Sequence, residues 1–224
     1  MNRVCLPLFA LVAAGVSAPA MAQGDRAGSI QAKVFATAVL PDGEITEVEI
    51  DEFGLPAGTQ SEANNNITPT VAVEYFISNN FSIETIAGVT QHDVDGLGGL
   101  DGAELVSDAK IIPGTVTLKY HFDVGSGFKP YIGAGPAYFI VFGDDAGADV
   151  AALGVTDVDL TNEFGFALQA GADIALSEGF GLSIDAKRYF IGTDARFFVD
   201  DTEIIRTKHD LDPWVLSAGA YFRF

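Results

Sequence analysis

Beyond residue 22 this chain has no cysteine; the only one, Cys5, lies close to its start. That absence excludes disulfides and a thiol nucleophile from the mature protein. Basic residues are scarce, with 12 Lys plus Arg against 31 Asp plus Glu. Such a balance argues against nucleic acid or an anionic lipid surface as partner. Histidine is scarce too: His92, His121 and His209 are far apart and follow no helical or strand ligand spacing. They supply neither a metal site nor, with any serine close in sequence, a hydrolase pair. No catalytic residue, cofactor or metal ligand is assigned. The chain also lacks, after its first twenty residues, any apolar run long enough for a membrane helix, although 48% of its residues are hydrophobic.

What is present at the N-terminus is an export signal. Asn2 and Arg3 precede an apolar run from Val4 to Val16, and Ala20-Met21-Ala22 closes it with a small-x-small pattern. A charged start, a short apolar middle and such a site predict a signal peptide over 1–22, cleaved before Gln23. The remaining residues, 23–224, suit one domain. An exported chain that is apolar overall yet has no continuous apolar segment fits a closed membrane barrel, whose strands spend half their residues on lipid.

The last strand carries the pattern most fully. Trp214, Leu216, Ala218, Ala220, Phe222 and Phe224 share one face, and Val215, Ser217, Gly219, Tyr221 and Arg223 the other. Alternate side chains of a strand point to opposite faces, so one face is apolar throughout with aromatics at both ends, as a membrane strand requires. Tyr221, Phe222 and Phe224 form an aromatic terminus of the kind that signals outer-membrane assembly, which makes the assembly machinery an expected partner.

Seven earlier stretches alternate in the same way: 30–39, 68–76, 81–89, 115–122, 130–142, 163–174 and 180–187. Short turns fall near residues 78, 125 and 178. Long polar connections fall near 55, 100, 150 and 200. Pro136 predicts a bulge in the fifth strand. Asp93-Val94-Asp95-Gly96 and Gly98-Gly99-Leu100-Asp101 echo calcium loops without a full ligand set and read as a flexible acidic loop. The fold class is all-β, an eight-stranded antiparallel up-and-down transmembrane β-barrel, set in the bacterial outer membrane with its lipid as surroundings.

Inward positions divide into two groups. Glu74, Glu84, Lys119, His121, Asp173, Asp185, Lys187 and Arg223 collect near the short turns. An eight-stranded interior is only wide enough for side chains to fill, so these charges predict a structural ion-pair plug rather than a conducting path. Towards the long connections the inward set turns apolar, with Ile86, Phe139, Val141, Tyr189 and Ile191. That suits a small hydrophobic ligand, and equally suits residues that merely fill the barrel.

Ile112-Pro113-Gly114-Thr115-Val116-Thr117-Leu118-Lys119-Tyr120-His121-Phe122, Lys129-Pro130-Tyr131-Ile132-Gly133-Ala134-Gly135, the stretch from Phe164 to Asp173, and Leu211-Asp212-Pro213-Trp214 with the final Tyr-Phe-Arg-Phe resemble the OmpW family of small outer-membrane barrels. The resemblance implies a barrel whose lumen holds an apolar channel for small hydrophobic molecules. With a charged floor beneath it, the guest would leave sideways through the wall. The alternative is a non-conducting structural or adhesive barrel that displays acidic external loops.

Overall fold

The computed structural model describes residues 26–125 and 127–224. The expected signal peptide and its cleavage before Gln23 lie outside the described residues. Eight long strands make the wall: β1 (Ile30–Leu40), β2 (Asn66–Phe76), β3 (Phe81–Ala87), β4 (Glu104–His121), β5 (Phe128–Phe142), β6 (Glu163–Ser177), β7 (Phe180–Phe190) and β8 (Trp214–Arg223). Each pairs antiparallel with the next, and β8 returns to pair with β1. No edge of the wall is left open, which removes the unpaired backbone groups that lipid could not satisfy.

The alternation sets which side chains meet lipid. On β6, Leu168 is 48% exposed while its neighbour Gln169 is 4% exposed. Register is equally defined. Stepping across the ladder from Ile30 leads to Tyr75, Ile83, Leu118, Ala134, Leu168, Arg188 and Trp214, and returns to β1 at Leu40. The circuit closes ten residues further along the same strand (40 − 30), a stagger that tilts the strands by about 40°. Aromatics ring the outer surface near the turns. Phe81 meets Tyr120 edge-on at 5.1 Å, and Phe180 lies 5.1 Å from Phe222.

The turns are as short as their composition predicts. Between β2 and β3 the Ser78 hydroxyl accepts from the Phe81 backbone N–H at 3.0 Å. Between β6 and β7 Gly179 takes φ +75°, a conformation a side chain would strain. Pro136 makes no bulge. The β5 registers with β4 and with β6 run past it unshifted. Its missing N–H falls where pairing with β4 lapses between Thr115 and Leu118. Gly135 takes up the close approach there, because a Cβ would stand 1.9 Å from the Val116 carbonyl oxygen.

The long connections are not the polar loops that the sequence predicts. They form a second storey of strands at one end of the barrel. Asp157–Leu160, Gly192–Val199, Thr202–Asp210 and Glu44–Asp51 make a four-stranded sheet in that order. Gln60–Ala63 pairs with Thr90–Leu97, which pairs with the upper part of β4. The stretch read as a flexible acidic loop is therefore strand Thr90–Leu97 followed by a helical turn, Gly98–Leu100. This storey has its own apolar core, in which Leu105, Val106 and Ala109 of β4 pack with Val155, Val158, Ala195, Phe197 and Ile204.

Candidate functional site

The barrel interior changes character from the turn end upward. At the floor, three lysines and four carboxylates converge with almost no exposure. Glu84 is the hub: it lies 2.8 Å from both Lys33 and Lys119 and 3.3 Å from Lys187. Glu74 pairs with Lys33 at 2.8 Å and Lys119 at 3.1 Å, and accepts from His121 at 2.8 Å. Asp185 holds Lys187 at 2.6 Å, and Asp173 stands 3.6 Å from Lys33. Neutral groups take up the remaining oxygens: Gln169 donates to Glu84 at 2.8 Å and to Asp185 at 2.6 Å, and Tyr131 donates to Asp185 at 2.8 Å. Lys119 also sits 3.7 Å from the centre of the Tyr131 ring. Buried charges persist only when paired and hydrogen-bonded in this way.

Seven of the eight residues expected in the plug meet here: Glu74, Glu84, Lys119, His121, Asp173, Asp185 and Lys187. Arg223 stands apart, donating to Gln31 at 2.9 Å at the lower rim. The sequence reading omitted Lys33, whose inward position follows from the same alternation that places Gln31 and Phe35. Of the terminal aromatics, Tyr221 points inward and is buried, while Phe222 and Phe224 face outward.

Above the charges lies a belt of hydroxyls. Thr37 bonds Thr70 at 2.7 Å and Ser217 at 2.8 Å, and Thr115 meets the Tyr189 hydroxyl at 3.1 Å. Above the belt the lining is apolar. Ile86, Phe139 and Tyr189 border a cavity of about 60 Å³, together with Val39, Ile111, Pro113 and Val215. Phe139 and Tyr189 stack at 5.2 Å. Ile191 is buried in the same cluster without lining the cavity, and Val141 is half-buried away from it.

The wall beside this neck has a break in its ladder. β3 pairs with β4 up to Ile86–Thr115, and pairing resumes at Thr90–Ile111 in the same register. Between them Gly88 stands opposite Pro113, which has no N–H to donate, with Val89 next to it. All three border the 60 Å³ cavity. Gly88 lies too close to Thr70 for a side chain, its would-be Cβ falling 2.6 Å from the Thr70 methyl.

Outward of the neck is a larger apolar cavity of about 180 Å³, walled by the second storey. Leu105, Val150, Leu160, Phe197 and Ile204 line it, and it shares Pro41, Ala63 and Leu211 with the neck. The larger of these two apolar cavities thus lies above the residues expected from sequence. Its polar contribution is small and self-satisfied. His209 bonds Ser61 through Nδ1 at 3.2 Å and Thr207 through Nε2 at 2.7 Å. That serine and histidine are far apart in sequence and adjacent in space, yet no carboxylate orients the ring, so the pair lacks the relay of a hydrolase. Ser82 and Glu74 both address the same nitrogen of His121, which equally prevents a relay.

Burial pushes the His209 pKa down to about 4, with Asp194 opposing the shift. The neutral ring is therefore the folded form, against an ordinary value of about 6.5. Its contribution is fully present above about pH 6.5 and is lost as pH falls towards 4, a span worth on the order of 1–3 kcal/mol. Corrected for the intrinsic exchange rate, hydrogen-exchange protection of the second storey should fall between pH 6.5 and 4.5, and His209→Gln should flatten that fall. An unchanged slope in the variant would remove His209 from the account.

A closed eight-stranded wall with an apolar, aromatic-ringed outer face and a buried, ion-paired interior defines an outer-membrane β-barrel protein. The chain belongs to the OmpW family, whose model matches residues 26–224. It is 32% identical over 182 residues to the outer-membrane protein y4mB of Sinorhizobium fredii, covering 81% of this chain and 76% of that one. It is 28% identical over 164 residues to the dibenzothiophene metabolism operon protein PahQ of Pseudomonas aeruginosa, covering 73% and 74%. The crystal structure of OprG from Pseudomonas aeruginosa superposes with a TM-score of 0.82 at 26% identity, covering 91% of this chain and 99% of that one.

Proposed function

We propose that the protein passes small hydrophobic molecules from the cell exterior into the outer membrane. The guest enters the 180 Å³ vestibule, moves to the neck at Phe139 and Tyr189, and leaves sideways where the β3–β4 ladder lapses at Pro113. The observation that carries this reading is the coincidence of three features: an apolar cavity, a floor sealed by ion pairs beneath it, and a gap in the wall at its side. A water-filled pore would keep a polar lining to its mouth. The relative named for a dibenzothiophene metabolism operon agrees with an apolar, aromatic class of cargo. Phe222 and Phe224, exposed at the chain end, are the residues we assign to recognition by the assembly machinery.

Burial of an aliphatic guest contributes about 0.8 kcal/mol per CH₂ before ordering costs. Phe139→Asp places a carboxylate in its path. Uptake of a medium-chain hydrocarbon should fall at least tenfold, while heat-modifiable gel migration shows the barrel still folded. Uptake equal to that of the parent would defeat the route through the neck. The exposed acidic strand Glu44–Asp51 would then favour a display function instead.

A further inference from the structure

The turn end of the barrel holds a cavity of opposite character, polar and about 120 Å³, lined by Arg26, Asn79, Asn80, His121, Asp123 and Lys129 among others. It has room for several waters or one small oxyanion. Two of its wall groups are buried and unsatisfied. Arg26 is 7% exposed, and its Nη1 has no hydrogen-bond partner. Its backbone N–H is fixed on the Asn79 side chain at 2.7 Å, and its guanidinium lies 5.2 Å from the Phe76 ring. The Arg223 guanidinium lies at the same distance from that ring, so a second cation crowds the first. Burial and that neighbouring charge work against the charged form of Arg26, and Asp173, Tyr221 and Glu74 oppose the shift. His121 is 1% exposed, and its Nδ1 is likewise without a partner.

Among the described lining residues cations outnumber carboxylates, two to one. Arg26 and Lys129 are cationic, and Asp123, 2.6 Å from Lys129, is the carboxylate in the lining. Glu74 lies on the far side of the imidazole, accepting from Nε2. Because Nε2 carries the donated proton, Nδ1 presents a lone pair and asks for a donor. The cavity therefore wants a ligand with negative oxygens for a guanidinium and an O–H for an imidazole nitrogen. Inorganic hydrogenphosphate has both, whereas a phosphate monoester, with a second pKa of about 6, has lost its P–OH at neutral pH. A phosphodiester, as in a lipid headgroup, has no P–OH, and sulfate at neutral pH has none either.

We infer that this cavity is a binding site for one inorganic hydrogenphosphate ion, its oxygens held by Arg26 and Lys129 and its P–OH donated to His121. The site opens at the end opposite the apolar vestibule and stands independently of the transport reading. It would take its ligand from the periplasmic side.

The test uses the full mature barrel in maltoside micelles, which carry no phosphorus, with inorganic phosphate titrated at constant ionic strength. Nitrogen chemical shifts of the Arg26 side chain and the His121 ring should saturate together. Sulfate should bind at least tenfold more weakly, and Arg26→Gln should weaken phosphate at least tenfold with the rest of the spectrum unchanged. If Arg26→Gln does not fold, Arg26→Lys, which keeps the charge and loses the fork, should give an intermediate affinity. In phosphatidylglycerol nanodiscs the same saturation should persist, since a diester cannot satisfy the imidazole. Shifts that rise without saturating, equal binding of sulfate, an unaltered response in both variants, or a site already filled by lipid phosphate would each overturn the proposal.

Discussion

Glu84→Ala is expected to lower the unfolding free energy of the refolded barrel by about 3–5 kcal/mol, the range for removing one partner of a buried charge cluster. Net charge alone gives the opposite expectation. The floor holds Lys33, Lys119 and Lys187 against Glu74, Glu84, Asp173 and Asp185, so deleting one acid brings three lysines to three carboxylates. Geometry decides against that count. Glu84 is the one carboxylate within reach of all three ammonium groups, and it accepts from Gln169 besides. Its loss leaves Lys187 with Asp185 alone and Lys119 with Glu74 alone, which it must share with Lys33, while Lys33 keeps Asp173 at 3.6 Å. Lys187→Ala should cost less, since Glu84 and Asp185 keep other donors. Denaturant midpoints in micelles would order the two variants. A Glu84→Ala barrel as stable as the parent would show that the floor is filled by packing rather than held by charge.

Pro113→Val is expected to reduce hydrocarbon uptake severalfold while leaving the barrel as stable or more so. Valine restores an N–H at the gap in the β3–β4 ladder and prefers extended backbone. The registers on either side of the gap agree, so the strands are already aligned to close it. Each backbone hydrogen bond gained contributes about 0.5–1.5 kcal/mol, and the closed wall would block the side exit. Ligand affinity measured in detergent should change little, because Phe139 and Tyr189 stay in place. Retained uptake with a closed ladder, judged by slowed amide exchange at Gly88 and Val89, would place the exit elsewhere.

The wall was legible because membrane strands repeat one rule. Leu168 outside and Gln169 inside follow from the period of two, and the same rule places Glu84, Lys119 and Lys187 on one interior. Lys33 obeys it as well, on the inward face of β1 with Gln31, Phe35 and Thr37. The second storey was not legible. Its core takes Leu105 and Val106 from one connection, Val155 and Val158 from another, and Phe197 and Ile204 from a third. No single connection carries enough apolar residues to show a period, and the surrounding acids dominate the composition. The gap at Pro113 was visible as a residue, and its meaning depended on the strand it failed to pair with.

The closure of the wall between its first and last strands has a kinetic consequence. Gln31 and Arg223, bonded to each other, are 192 residues apart. Bringing such ends together costs about 5 kcal/mol of chain entropy, and the reward comes only when the final ladder zips. Until then β1 and β8 are open edges, prone to pairing with other chains. Lys33 on β1 cannot reach Asp173 on β6 before closure, so the cross-barrel pairs of the ionic floor are the last part to form. Its lysines and carboxylates stay hydrated while the sheet is open and lose that water in one late step. Insertion should therefore pass through a long-lived open sheet whose rate of closing depends on how cheaply those charges can be dried.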